Sequence, residues 1–287
     1  MRVTQSMLSN NMLRNLTNSY NNMGTYMDQL TTGKKINRPS DDPVIAVKGM
    51  DYRSQLVEVE QFKRNTNEVH NWMDNSDDAL DQATKALQRL RELAVQASND
   101  TYDLEERHKV MEEVKQLKTH LIDIGNTKVN GKYIFNGTNT DVKPIDGGYP
   151  TNTTDVNIEV SNGIKIKVNV DADEVFGEEA FANVDSFITA LENGDQGEIE
   201  KSIALLDENI NNVLNARADL GARMNRLELI EHRLGSQEIS ATEMMSNNED
   251  IDYEKVITQL ITQESVHRAA LSAGSRIIQP SLLDFLR

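Results

Sequence analysis

Cysteine is absent from the 287 residues, tryptophan occurs once, proline five times, and aromatic residues make up only 5%. Without cysteine there is no disulfide framework, no thiolate zinc site, no iron–sulfur cluster and no thiol nucleophile. With so few aromatics, a core must be built from Leu, Ile, Val, Met and Ala, which suits packed helices better than a β-sandwich or barrel. No run approaches the ~18 consecutive apolar residues of a membrane span. The opening MRVTQSMLSNNMLRNL lacks the apolar h-region of a secretory signal, so a Sec-type route is not expected. Positive charge is short as well. A net charge of −16 repels phosphate backbones and anionic lipid, so neither nucleic acid nor a membrane surface is an expected partner.

That charge is uneven. Residues 1–40 carry Arg2, Arg14, Lys34, Lys35 and Arg38 against Asp28 alone, whereas residues 141–200 carry fourteen acids against three lysines. A basic front end and an acidic middle mark distinct regions.

What the chain does contain is a 3–4 hydrophobic spacing in five places. Leu16, Tyr20, Met23, Met27 and Leu30 form the first stripe. Gly33 is a C-terminal stop, and the INRPSDDP break offers Ser40 or Asp41 as N-cap with Pro43 in the next first turn. Val69, Met73, Ser76, Leu80, Ala83, Leu87, Leu90, Ala94 and Ala97 then alternate steps of 4 and 3. After a turn at 98–103, Val110 to Ile124 make a third helix, antiparallel to the second because the connection is short. A fourth stripe runs from Ile199 to Leu234 and a fifth from about Ile251 to Ile278. Sustained seven-residue periodicity signals coiled-coil-like packing. Between the third and fourth helices the pattern changes. KYIF between Asn130-Gly131 and Asn136-Gly137 reads as a strand, and DVNIEV and IKIKVNV flanking Ser161-Asn162-Gly163 read as a hairpin.

The expected fold is mainly α: a long coiled-coil-like helical bundle formed by the N- and C-terminal halves, with a small mixed α/β insertion of β-hairpins. The expected boundaries are 1–43 (N-terminal assembly segment), 44–130 (first half of the bundle core), 131–194 (solvent-exposed insertion), 195–250 (second half of the core) and 251–287 (C-terminal assembly helix). The first and last stripes have no hairpin partner next to them in sequence. Their natural partners are each other and copies in other chains, and isolated helices of this length are marginal in water. This points to a polymerising protein.

Catalytic patterns are scarce. The chain lacks phosphate-loop, dinucleotide, nucleophile-elbow and H-E-x-x-H motifs. Asp41-Asp42 and Asp77-Asp78 read as a cap and a solvated helix face. Glu105-x-x-His108 and Glu264-x-x-His267 could contribute to a carboxylate-bridged di-metal bundle enzyme, but the first lies in a first turn where acids favour the helix dipole. No enzyme, cofactor or metal site is expected. Arg217, Arg223, Arg226 and Arg233 could form rungs with Glu58, Glu60, Glu92 and Glu113, each worth little at the surface.

Gln29-Leu30-Thr31-Thr32-Gly33-Lys34-Lys35-Ile36-Asn37-Arg38-Pro39-Ser40-Asp41-Asp42-Pro43 resembles the signature near the start of flagellin-family proteins. Ala218 to Glu228 (ADLGARMNRLE) and Asn248-Glu249-Asp250-Ile251-Asp252 resemble that family's C-terminal half. The opening Met1-Arg2-Val3-Thr4-Gln5, the Arg38-Pro39-Ser40-Asp41-Asp42-Pro43 form of the break and the ending Pro280 to Arg287 (PSLLDFLR) favour its hook–filament junction members over filament flagellin. The resemblance covers roughly 1–140 and 200–287. It implies terminal segments that are disordered in the free monomer and pair as an inner coiled-coil layer, a solvent-facing insertion and helical stacking with copies of the same chain. It further implies the preceding hook-associated protein 1 on the hook side, flagellin on the filament side, and flagellar type III export guided by a chaperone without signal cleavage. The residues expected to carry assembly are Leu16, Tyr20, Met23, Met27, Leu30, Ile257, Leu260, Leu271, Ile278, Leu283 and Leu286. On the terminal stripe His267 and Gly274 depart from the large aliphatics a seam uses.

Overall fold

The computed structural model describes residues 5–98, 104–146, 148–150 and 154–278. Among these described residues, seven helices and four short strands follow in the order α1 (Gln5–Thr32), α2 (Pro43–Ala97), α3 (Leu104–Gly125), β1 (Lys128–Val129), β2 (Lys132–Tyr133), β3 (Asn157–Ser161), β4 (Ile164–Lys167), α4 (Ala172–Phe176), α5 (Glu178–Asn193), α6 (Gln196–Glu249) and α7 (Tyr253–Ile278). The chain folds as two compact units: Met1–Glu58 with Gln237–Arg287, and Val59–Ser236. Both boundaries fall inside a long helix, α2 and α6. No helix among the described residues is long and apolar enough to cross a membrane.

In the second unit the 4–3 stripe of α2 is the core. Val69, Met73, Leu80, Ala83, Leu87, Leu90, Ala94 and Ala97 are buried, together with Val110, Val114 and Leu121 of α3 and Ile199, Leu206, Val213, Leu220, Leu227 and Leu234 of α6. Buried hydroxyls of α2 satisfy themselves on their own helix: Thr66 Oγ1 donates to Lys63 O at 2.9 Å, Ser76 Oγ to Trp72 O at 2.8 Å and Thr84 Oγ1 to Leu80 O at 2.7 Å. Ion pairs fix the antiparallel order of the helices. Arg217 of α6 reaches Asp77 and Asp81 of α2 at 2.9 Å each, and Arg91 reaches Asp207 at 2.5 Å. Asp77 is therefore a partner of α6 and not part of a solvated face. Arg89 pairs with Glu92 and with Glu113 of α3, while Arg223 donates to the carbonyls of Lys167 and Asn169 and so pins the hairpin to α6.

The insertion contains two antiparallel ribbons. Asn130 (φ 51°) and Gly131 (φ 81°) occupy the left-handed positions of the turn between β1 and β2. The expected KYIF strand stops at Tyr133, because Ile134 and Phe135 go into the core, where the Phe135 ring meets Phe176 edge-on at 5.0 Å. Along β4 and the extended residues that follow it, Ile166, Val168 and Val170 are buried as the alternation requires. Asn169 on the opposite phase is also buried, because its Oδ1 accepts the Val156 N–H at 2.8 Å.

The break before α2 is capped by Asp42, the second acid of the Asp41-Asp42 pair, and not by Ser40 or Asp41. Val44 and Ile45 N–H donate to Asp42 Oδ1 at 2.9 and 3.2 Å, with Pro43 as the first helical residue. Asp41 instead closes the loop, accepting the N–H groups of Asn37 and Arg38. Asp42→Ala should cost about 1 kcal/mol at this helix start and speed amide exchange at Val44 and Ile45, whereas Ser40→Ala should leave both amides unchanged.

Candidate assembly surface

Helices α1 and α7 pack on each other within the first unit. The pairing is antiparallel: Gln263 Nε2 donates to Ser19 Oγ at 3.0 Å, and the rings of Tyr20 and His267 lie 6.4 Å apart. Met12, Leu16, Ser19, Met23, Tyr26 and Leu30 are buried or half-buried in steps of 4, 3, 4, 3 and 4, so they form the inward face of α1. On α7 the inward residues are Val256, Leu260, Gln263, His267, Ala270 and Gly274.

At Gly274 the Met12 side chain of α1 occupies the space a Cβ would take. Of the two departures noted on the terminal stripe, Gly274 makes room for Met12, and His267 lies beside the largely exposed Tyr20 ring at the edge of the pair.

The expected assembly residues divide between two faces. Leu16, Met23, Leu30 and Leu260 are half-buried in the helix pair, while Tyr20 (65% exposed), Met27 (61%), Ile257 and Leu271 (49%) lie outside it. Leu13, Ile261 and Val266 are exposed alongside them. Ile278 ends α7 with only its backbone described, and Leu283 and Leu286 lie outside the described residues. Large apolar side chains left in water along a helix are the usual mark of an interaction site. Leu13, Tyr20 and Met27 recur every seven residues, the spacing that keeps one face of a helix toward a neighbouring helix.

Beside the pair, the two segments that carry the sequence resemblance meet. Lys34 and Asp250 form an isolated antiparallel bridge, with Lys35 N–H donating to Glu249 O at 2.6 Å and Ile251 N–H to Gly33 O at 3.1 Å. Gly33 has φ +71°, a backbone conformation that favours glycine, and the Tyr253 hydroxyl lies over it, 2.8 Å from where a Cβ would stand. Lys35 Nζ donates to Asn247 O at 2.5 Å, and Asn248 Nδ2 to Ile45 O at 3.0 Å.

At the centre of this clasp is a buried carboxylate. Glu249 is 4% exposed and pairs with Arg53 Nη2 at 2.6 Å and Lys34 Nζ at 3.4 Å. It fills the space left by Gly49, where a Cβ would collide with its Oε1. A buried carboxylate is tolerated only when paired, so Lys34, Gly49, Arg53 and Glu249 act together. None of this shows in hydrophobic periodicity. The only signal in the sequence is glycine inside a helical stretch beside an otherwise aliphatic stripe.

The hydrogen bond to Asp250 at 2.6 Å raises Lys34 above its ordinary 10.5, and the same bond, followed by Ser246 Oγ, lowers Asp250 below 3.8. The raised lysine stabilises the clasp below its unfolded value and loses that contribution as pH climbs through the folded one. The lowered aspartate stabilises above its unfolded value and loses its contribution as pH falls through the folded one. Clasp stability should therefore be level from about pH 5 to pH 9 and fall on both sides. The pair is partly solvated, so the change should stay below about 1 kcal/mol and shrink in high salt. Urea unfolding of the first unit against pH, repeated with Asp250→Asn to remove the acid limb, measures this.

Among the described residues no group of three or more His, Cys, Asp or Glu could hold a metal ion. Glu264 pairs with Arg268, and Glu105 with Lys109, each on its own helix.

Residues 3–140 match the bacterial flagellin N-terminal helical region, and residues 203–286 match the bacterial flagellin C-terminal helical region. The flagellar hook-associated protein 3 of Escherichia coli is 26% identical over 303 aligned residues, covering 95% of this chain and 96% of that protein. A Bacillus subtilis flagellin is 25% identical over 309, covering both chains completely. In fold, the chain is similar to the crystal structure of flagellar hook associated protein-3 from Legionella pneumophila, with a TM-score of 0.64 at 17% identity over 68% of this chain and 97% of that one.

Proposed function

The chain belongs to the bacterial flagellin family, and we propose that within it the chain is a structural adapter joining the hook of the flagellum to its filament. It is not an enzyme. The observation that carries this reading is the outward apolar face of the α1–α7 pair. Two segments from opposite ends of the sequence combine in one unit and still leave Tyr20, Met27, Ile257 and Leu271 in water. Stacked copies would bury that face, with Leu16, Met23, Leu30 and Leu260 holding the pair together and Ile278, Leu283 and Leu286 extending it. On the hook side the partner is hook-associated protein 1, and on the filament side flagellin. The chain works outside the cell at the hook–filament junction, delivered by the flagellar type III route with an export chaperone and without a cleaved signal.

The junction role, as against that of filament subunit, is supported by the Arg38-Pro39-Ser40-Asp41-Asp42-Pro43 break and by similarity to a hook-associated protein over nearly the full length of both chains. The second reading, a filament flagellin, is favoured by the full-length similarity to a Bacillus subtilis flagellin. A deletion strain decides between them. The adapter reading expects finished hooks without filaments and free flagellin in the medium, and seeded purified chain should not grow long fibres. Cells whose flagellin no longer exists, or long fibres from the purified chain, would establish the filament reading instead.

A further inference from the structure

We propose that a cleft beside the Lys34–Asp250 bridge receives residues 282–286 of a second copy of the chain, with Arg38 pairing Asp284 of that copy. This rests on the reading that copies stack, and it assigns the place where one copy holds the next. The cleft has a volume of about 240 Å³ and lies within the first unit. Ile36, Pro39, Ala46 and Met50 give it an apolar wall, with Met50 58% exposed. Arg38 stands exposed in the same lining, and among the described residues its guanidinium pairs with no acid. Glu249, the acid in that lining, is already held by Arg53 and Lys34, so it does not compete for Arg38. The volume is below the ~300 Å³ at which small-molecule sites begin, so the cleft suits side chains better than a free metabolite. Two larger clefts of the second unit are lined by acids, Asp173, Glu174 and Glu179 in one and Asp185, Asp195 and Glu198 in the other, and would repel a carboxylate.

The sequence contains a matching segment. Leu282, Leu283, Phe285 and Leu286 place four large apolar side chains around one acid, Asp284. These residues lie outside the described ones, and chain length decides which copy supplies them. The cleft sits at the start of α7, since Glu249 comes four residues before Tyr253, whose hydroxyl covers Gly33. From there α7 runs roughly 37 Å to Ile278, at about 1.5 Å per residue. Asp284 follows six residues later, a reach of about 21 Å even at full extension. A chain therefore cannot return its own Asp284 to its own Arg38. The segment after one α7 meets the cleft at the start of another only when copies follow head to tail. Such a contact is heterologous: cleft and segment are different surfaces, so each added copy leaves one of each free, and the array continues as a helix or closes as a ring. Apolar side chains in the cleft supply affinity, while the Arg38–Asp284 pair fixes register and rejects other segments.

The test uses cells that lack the native chain and co-produce two full-length variants, Asn37→Cys at the rim of the cleft and Ser281→Cys beside the segment. The chain has no other cysteine, so a short bismaleimide added to assembled flagella links copies at these positions alone. Swimming cells with both variants should yield a crosslinked dimer of the chain, and cells with either variant alone should not. Charge reversal tests the pair itself. Arg38→Glu or Asp284→Arg should each lower the swimming fraction about tenfold or more, because like charges then face each other. Both reversals in one chain should restore swimming, which a change that merely unfolded the chain would not do. The proposal is overturned if swimming mixed cells give no dimer, if one variant alone gives as much, if neither reversal lowers swimming, or if the double reversal swims no better than the single ones. The assembly reading is tested separately, by whether the unsubstituted chain restores swimming to the same cells.

Discussion

Cells producing Leu271→Asp should swim no better than cells lacking the chain, and should release flagellin into the medium, while the purified variant melts like the wild type. The two halves of this result come from one number. Leu271 is 49% exposed, so in the free chain the aspartate stays in water, and a surface change of this kind shifts stability by no more than about 0.5 kcal/mol. In a stack of copies the same carboxylate would be desolvated against apolar side chains with no cation to meet it, which costs several kcal/mol per subunit. A loss of even 3 kcal/mol is about a hundredfold in association, and every subunit of the stack would carry it. Tyr20→Asp, at 65% exposure on α1, should behave the same way. Leu30→Asp is a poorer probe, since Leu30 is half-buried in the helix pair and its loss would loosen the free chain as well. Normal swimming with Leu271→Asp would mean that the outer face of α7 is not where copies meet.

The long helices were legible in the sequence because their burial is strictly periodic. Every residue of the stripe from Val69 to Ala97 is buried in α2, including Ser76, although the buried face is wider and also takes in Trp72, Ala79, Thr84, Ala86 and Leu93. On α1 the spacing was equally regular, but periodicity alone has no preference between neighbouring edges of a helix. Tyr20 and Met27 share the 4–3 pattern with Leu16 and Met23, yet face out, while Ser19 and Tyr26 turn toward α7. Ser19 can do so because Gln263 donates to it, a pairing across 244 positions that no local rule contains. The clasp was invisible for the same reason. Its parts were recognised as separate motifs, but Glu249 becomes a buried ion-pair centre only when Arg53, Lys34 and the space above Gly49 converge on it. The cap at Asp42, one residue beyond the expected pair, reflects a loop that needs Asp41 for its own closure.

Leu206→Ala should have the opposite profile to Leu271→Asp: a large loss of stability with the assembly surface untouched. Leu206 is fully buried (0% exposed) in the α2–α3–α6 core. Truncating such a leucine removes its transfer free energy and leaves a cavity that rigid helices close only in part, typically 3 kcal/mol or more. For a unit of this size that corresponds to a drop of roughly 6–12 °C in melting temperature. Arg217→Ala should cost less, about 1–2 kcal/mol, although it breaks the contacts to Asp77 and Asp81. All three side chains are partly exposed, so water takes over the orphaned carboxylates. Lys85→Ala, removing an exposed i,i+4 pair with Asp81, should be close to silent. Thermal melts of the three variants test the order directly. If Arg217→Ala proved more costly than Leu206→Ala, charge pairing and not apolar burial would be the main support of the bundle. With Leu206→Ala, junctions should still form at temperatures where the second unit remains folded, whereas with Leu271→Asp they should fail at every temperature. That contrast separates folding from assembly and assigns the first to the buried seam and the second to the exposed face.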